Sequence, residues 1–293
     1  MGNIRGSILM ILAMAGFAME DMFVKAASRT LPVGEILIVF GLGGTLVLTV
    51  LAYIRNEAIW SHKITSKILM IRASCEILGR MFFTLALALA PLSSVSAILQ
   101  ATPLVVVLGA AVFFKESVGL QRWLAILIGF CGVLMILRPG MGDFKFEVVF
   151  AVLGTLGFAG RDLATRAAPP IFSNIQLNIY GLFILIPTGV ILAPFTGGIV
   201  LPDSTSTLYL FCIIFFGVLA YYALTVAMRT GEVSIVTPFR YTRLLFALII
   251  SVLIFSERPD NITLIGIVLI VLSGLFSLMR NKKAPSAIPL PAG

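Results

Sequence analysis

Charge is scarce in this chain, and histidine is nearly absent. Asp, Glu, Lys and Arg make up 12% of the 293 residues, about half the share usual in soluble domains. One histidine, His62 in a polar loop, cannot complete a Ser/His pair or a histidine metal centre. Cys75, Cys131 and Cys212 all fall inside apolar segments. Three scattered thiols make neither a disulfide framework nor a Cys/His metal site. No phosphate loop is present: Gly41-Leu42-Gly43-Gly44 sits inside an apolar helix with no strand before it. These absences exclude an enzyme, a resident cofactor or metal, and primary active transport by this chain alone. They exclude nucleic acid too, because no basic run has the needed length or aromatic interleaving.

What the chain does have is hydrophobic length. It is 59% hydrophobic against about 45–50% in soluble domains, and the excess runs throughout. A spanning helix needs roughly 20 apolar residues, so the chain is read as an all-α membrane protein of ten transmembrane helices. The predicted spans are 6–27, 33–54, 68–89, 94–114, 120–138, 147–167, 175–195 (broken late by Pro187 and Pro194), 207–229, 233–255 and 262–280. Residues 281–293 read as a disordered cytoplasmic tail. Arg5, an apolar run and Ala13-Met14-Ala15 mimic a cleaved signal peptide. Cleavage is rejected, because the segment runs into a stretch that recurs later.

That stretch is Gly-Phe-Ala-Met-Glu-Asp-Met-Phe-Val-Lys-Ala-Ala at 16–27 and Gly-Phe-Ala-Gly-Arg-Asp-Leu-Ala-Thr-Arg-Ala-Ala at 157–168. At the same offset of 141, Glu35 falls on Gln176 and Glu116 on Glu257, while Gly132 falls near Gly274. Residues 1–138 and 147–280 therefore read as two five-helix repeats. Five is odd, so the second repeat enters the membrane from the opposite side, a plan common among secondary transporters, which bind substrate near the midplane between halves. With the N-terminus inside, inner segments carry eleven Lys and Arg against five outside. That bias places both termini in the cytoplasm.

Charges within spans are costly and usually face the bundle interior or water. Glu20, Asp21, Glu76, Arg80, Arg161, Asp162, Arg240 and Arg243 are such residues, four acidic and four basic. The balance suggests internal pairing or a hydrated cavity rather than a single-signed pore. Glu76 and Arg80 are four apart and share a helix face. Arg240 and Arg243 flank Tyr241, and Gln100 lies at equivalent depth in the other repeat. Glu76, Arg80, Gln100, Arg240, Tyr241 and Arg243 are accordingly the substrate-binding candidates. Glu20, Asp21, Arg161 and Asp162 are the gating or coupling candidates. Asp21 and Asp162 are repeat equivalents, while Glu20 and Arg161 break the symmetry with opposite charge. Aromatics such as Phe17, Phe83, Phe158 and Tyr221 are expected to line the same cavity.

Paired five-helix halves, Glu116 and Glu257 closing the fourth and ninth helices, the glycine-bearing helices after them and the small-residue turns after the third and eighth give a family pattern. It resembles the EamA branch of the drug/metabolite transporter superfamily over about residues 5–280. The resemblance implies inner-membrane location, alternating access and a central cavity lined by helices 1, 3, 4, 6, 8 and 9. Within that branch the chain looks most like bacterial riboflavin importers, with aromatics for the ring and polar groups for the ribityl chain. An exporter of amino acids, amines or drug-like metabolites is the alternative. The partners implied are a small-molecule substrate and the lipid bilayer, with a homodimer left open.

Overall fold

A computed structural model describes residues 2–57, 59, 66–113, 115, 119–138, 146–167, 173–230 and 236–279. Among these residues helices form and no strand does. In chain order they are α1 (Gly2–Ala27), α2 (Val33–Ile54), α3 (Lys67–Leu89) and α4 (Leu92–Leu99, then Thr102–Phe113). There follow α5 (Leu120–Leu137), α6 (Glu147–Ala167), α7 (Asn174–Phe183, then Leu185–Thr196) and α8 (Ser204–Thr230). Last come α9 (a 3-10 turn Thr237–Tyr241, then Thr242–Leu253) and α10 (Asn261–Met279). His62, Glu116, the Pro169-Pro170 stop, the junction 139–145 and the tail 281–293 lie outside the described residues.

The pattern of exposure is that of a protein in lipid. Leu12, Leu46, Phe113, Phe211 and Leu272 point outward, each more than half exposed, while Glu20, Asp21, Glu76, Arg80 and Gln100 are buried. Among the described residues, five stretches are long and apolar enough to span a bilayer: Ile4–Ala27, Val33–Ile54, Leu92–Phe113, Asn174–Thr196 and Ser204–Ala227. The charges that α3 and α6 carry keep their hydropathy lower, and two of them, Glu76 and Arg80, are buried.

Two spans break where a continuous helix was expected or broke elsewhere. The fourth, expected to run unbroken from 94, starts at Leu92 and is interrupted at Gln100–Ala101. Pro103 has no N–H for the carbonyl of Leu99, and the Thr102 hydroxyl donates to that carbonyl instead. Gln100 and Ala101 tighten into i→i−3 bonds to Ala97 and Ile98. The seventh was expected to break late. It breaks at Ile184, just ahead of Pro187, which leaves Phe183 without its helical N–H donor. In α9 the Thr242 hydroxyl repeats the device of Thr102, donating to the carbonyl of Phe239.

The halves pack by one rule. The tightest neighbours are α1 with α8, α3 with α6, α5 with α10 and α2 with α7. Adding five to each number turns the first pair into the second and leaves the other two unchanged, as a two-fold axis through the bundle requires. Residues obey it as well. Gly157 meets Gly79 so closely that a Cβ would lie 2.4 Å from the Gly79 nitrogen. Their equivalents at the 141 offset, Gly16 and Ala220, form the matching α1–α8 contact. Arg80 and its equivalent Tyr221 face each other, with the guanidinium carbon 5.0 Å from the ring centre.

Candidate functional site

The site forms where the helices carrying polar residues converge on this axis. Glu20 and Asp21 are neighbours on α1, so their side chains leave the helix about 100° apart and reach different partners. Asp21 turns toward α9, where Arg243 grips both its oxygens through Nη2 at 2.7 and 2.9 Å and adds an Nε bond at 3.1 Å. This fork-on-fork geometry is the strong form of ion pair. Glu20 turns toward α3, where Arg80 donates to Oε1 at 3.2 Å. Arg80 also lies 3.8 Å from Glu76, one turn earlier on its own helix. Glu76 accepts from Arg161 of α6 at 3.2 and 3.4 Å. Arg161 in turn holds Asp162 at 2.8 Å.

The eight charged candidates thus sort into an alternating strip. Acid and base follow one another from Glu20 through Arg80, Glu76 and Arg161 to Asp162, with Asp21–Arg243 beside it. Arg240 is the member left over: among the described residues its guanidinium has no ion-pair partner, while its backbone carbonyl accepts from Gln100 Nε2 at 2.9 Å. That bond ties the interruption in α4 to the first turn of α9. Unwound backbone at membrane depth is tolerated where it is buried in protein or lines a cavity, and the bond holds both irregular segments against the site. A second incomplete group is Glu20 Oε2, which is buried and accepts no hydrogen bond.

Aromatic rings frame the guanidinium groups. Arg243 sits 4.9 Å from the Phe17 ring centre and 5.6 Å from that of Phe83. Arg161 sits 5.0 Å from Phe158, and Phe17 meets Tyr221 edge-on at 5.1 Å. Desolvated cation–π contacts of this kind contribute about 2 kcal/mol each. Phe40 of α2 joins them 5.9 Å from Arg80. It lies outside the expected set, because the one acid of its span, Glu35, sits in the first turn and accepts from the N–H of Val200 rather than joining the strip.

Of the predicted site residues, Tyr241 stands apart from the strip. Its ring is buried against α10, and a Cβ on Gly274 would fall 1.6 Å from its hydroxyl. Gln100 reaches the strip only through the backbone of Arg240. The other eight named candidates supply the side chains just described.

A further cluster closes one end of the bundle. Lys25 Nζ donates to the carbonyl of Ala90 at 2.5 Å, at the end of α3, and lies 3.4 Å from Glu257. Glu257 accepts from the backbone N–H groups of Leu92 and Ser93 at 3.0 and 3.3 Å, and from the Ser93 and Ser251 hydroxyls. A carboxylate at a helix N-terminus is favoured by the exposed N–H groups and the helix dipole. Burial alone would raise the pKa of Glu257. The Ser251 hydroxyl, the two N–H groups and Lys25 outweigh it and hold the carboxyl below its usual range. One acid and one lysine so bind α1, α3, α4 and the end of α9 together. Cavities of about 420 and about 490 Å³ flank this latch on either side of Pro91 and Glu257. The 141 offset had marked Lys25 and Glu257 as repeated positions, but not as partners.

Comparison with known proteins agrees with the two-fold plan. The model of the EamA-like transporter family matches twice, over residues 4–138 and 145–279. The chain is 30% identical over 212 residues to an S-adenosylmethionine uptake transporter of Rickettsia bellii, covering 71% of each chain. It is 28% identical over 232 residues to a riboflavin transporter of Rhizobium johnstonii, covering 79% of this chain and 74% of that one. It is 28% identical over 280 residues to a pseudopaline exporter of Pseudomonas aeruginosa, covering 95% and 97%. With both halves matched, an inward-facing charged strip and an apolar exterior, the chain belongs to the EamA-like transporter family and is a multi-pass membrane transporter.

Proposed function

We propose that this protein is a secondary transporter that moves a ring-bearing metabolite with both a carboxylate and cationic groups by alternating access, with S-adenosylmethionine the best-suited substrate. The observation that carries this reading is the pair of unfilled valences at the strip. Among the described residues, the Arg240 guanidinium has no anion and the buried Glu20 Oε2 has no donor. A molecule bearing both a carboxylate and a cation completes each of them. S-adenosylmethionine has one carboxylate and two cations, the ammonium and the sulfonium, so it brings one net positive charge to a strip of four acids and four bases. S-adenosylmethionine adds an adenine ring for the faces of Phe17, Phe83 and Phe158, and relatives named for its uptake support the choice. The proposed setting is the bacterial inner membrane with both termini cytoplasmic, which places the Lys25–Glu257 latch at the outer face.

Riboflavin is the second reading, favoured by the aromatic rings and by relatives named for it. A neutral tricycle would use those rings and leave Arg240 unanswered, which is why it ranks behind. Counterflow in proteoliposomes preloaded with unlabelled substrate separates the two whichever way the protein works in the cell. Labelled S-adenosylmethionine is expected to accumulate saturably, and excess riboflavin is expected not to compete. Accumulation of riboflavin alone would replace the first reading with the second.

A further inference from the structure

The Arg80 guanidinium occupies a cage. Its carbon lies 5.0 Å from the ring centre of Tyr221, 5.7 Å from Phe158 and 5.9 Å from Phe40. Two carboxylates, Glu20 and Glu76, close the cage at 3.2 and 3.8 Å. Arg80 is 6% exposed and Glu20 is 2% exposed. Three ring faces and an acid around a buried cation are the chemistry that recognises onium groups, which have positive charge but few or no N–H donors. The fit to arginine is loose: Arg80 Nε is buried 3.8 Å from Glu76, beyond hydrogen-bond reach, and Glu20 Oε2 accepts no hydrogen bond among the described residues. Arg80 therefore gives up one hydrogen bond, to Glu20 Oε1, when it leaves the cage.

We infer that this cage is the receptor for the sulfonium group of the substrate, and that Arg80 is its resident placeholder in the empty protein. The inference rests on the substrate reading proposed above and names the residue that sets its specificity, Glu20. A transporter must reorient both loaded and empty. Without a cation, the cage would leave Glu20 buried with no ion-pair partner among the described residues, while Glu76 keeps Arg161. Arg80 fills that need. When the sulfonium arrives, Arg80 keeps Glu76, its neighbour one turn away, and releases Glu20 and the ring faces. The cage carries a cation in either state. A sulfonium donates no hydrogen bonds, so the rings and the Glu20 charge do the recognising.

The test compares S-adenosylmethionine with S-adenosylhomocysteine, which lacks the methyl group and therefore the charge on sulfur. Binding to the purified protein in lipid nanodiscs is measured for the unmodified chain, for Glu20→Gln and for Tyr221→Leu, with thermal melting as the check on folding. The unmodified protein is expected to prefer the sulfonium by at least about tenfold. Glu20→Gln should abolish that preference, with the loss of affinity falling on S-adenosylmethionine far more than on S-adenosylhomocysteine. Tyr221→Leu should lower it in the same direction, and it serves if Glu20→Gln does not fold. Equal binding of both molecules by the unmodified protein, or a preference that survives in every folded variant, overturns the cage assignment while leaving an adenosyl-substrate carrier standing. Binding of neither molecule by the folded protein overturns the substrate reading itself.

Discussion

Arg243 and Asp21 make a two-pronged ion pair in which the carboxylate is 1% exposed and the arginine side chain 14%. Removing one member leaves the other charged and unanswered, which costs about 3–5 kcal/mol, whereas removing both is far milder. Arg243→Ala is therefore expected to lower thermal stability in detergent sharply, and Asp21→Asn combined with Arg243→Gln to recover most of the loss. A double substitution as unstable as Arg243→Ala would mean the pair is not the source of the effect. Arg243→Lys is expected to behave like a partial loss, since an ammonium cannot hold both oxygens in the same fork. The eight charges stood out in the sequence because charge inside apolar spans is rare, and their four-to-four balance foretold pairing. Which partner each would take was not legible. Of the bonds in the strip, Glu76–Arg80 and Arg161–Asp162 join near neighbours; the others connect residues 60, 85 and 222 positions apart.

At the scale of the helix, close packing and broken turns set the site's shape. The α3–α6 crossing has no room for a side chain at Gly157, where a Cβ would lie 2.5 Å from the Gly79 Cα. Because the obstacle is backbone, no rotamer change relieves it. Gly157→Val should reduce folded yield in the membrane, whereas Gly119→Ala, where no atom lies within 4 Å, should not. Equal yields from both would contradict the crossing. The latch invites a different experiment, because Glu257 is held below the usual carboxylate range by its donors. A depressed acid contributes stability above its unfolded pKa of about 4.3 and loses it as pH falls through the lower folded value. The latch should thus stay shut throughout the neutral and mildly acidic range and loosen only below that. Glu257→Gln should lose that acid-dependent step and expose a cysteine placed at Ser93 to thiol reagents at pH 7. Exposure identical to that in the unsubstituted latch would rule the closure out. The interruption of α4 escaped the sequence because apolar residues run straight through it and the Thr102 hydroxyl replaces the bond that Pro103 removes.

For the whole molecule, the repeat was the most readable property. The stretch at 16–27 recurs at 157–168, and its two glycines lie at the paired α1–α8 and α6–α3 contacts. Shared ancestry of the halves leaves such traces in sequence because both copies must still pack in the same way. Substrate identity leaves no trace of that kind: it depends on a few groups where the halves differ, such as Glu20 against Arg161 and Arg80 against Tyr221. Those differences make the charged strip asymmetric inside a symmetric frame. The central claim is that this strip, beside the interruptions of α4 and α9, is the transport site, with Arg240 waiting for the substrate's carboxylate. Counterflow of labelled S-adenosylmethionine by Arg240→Ala, set beside the unmodified protein and matched for insertion and melting temperature, tests it most directly. The account predicts a loss of at least about tenfold, the worth of one charged hydrogen bond; full counterflow by the folded Arg240→Ala protein would contradict it.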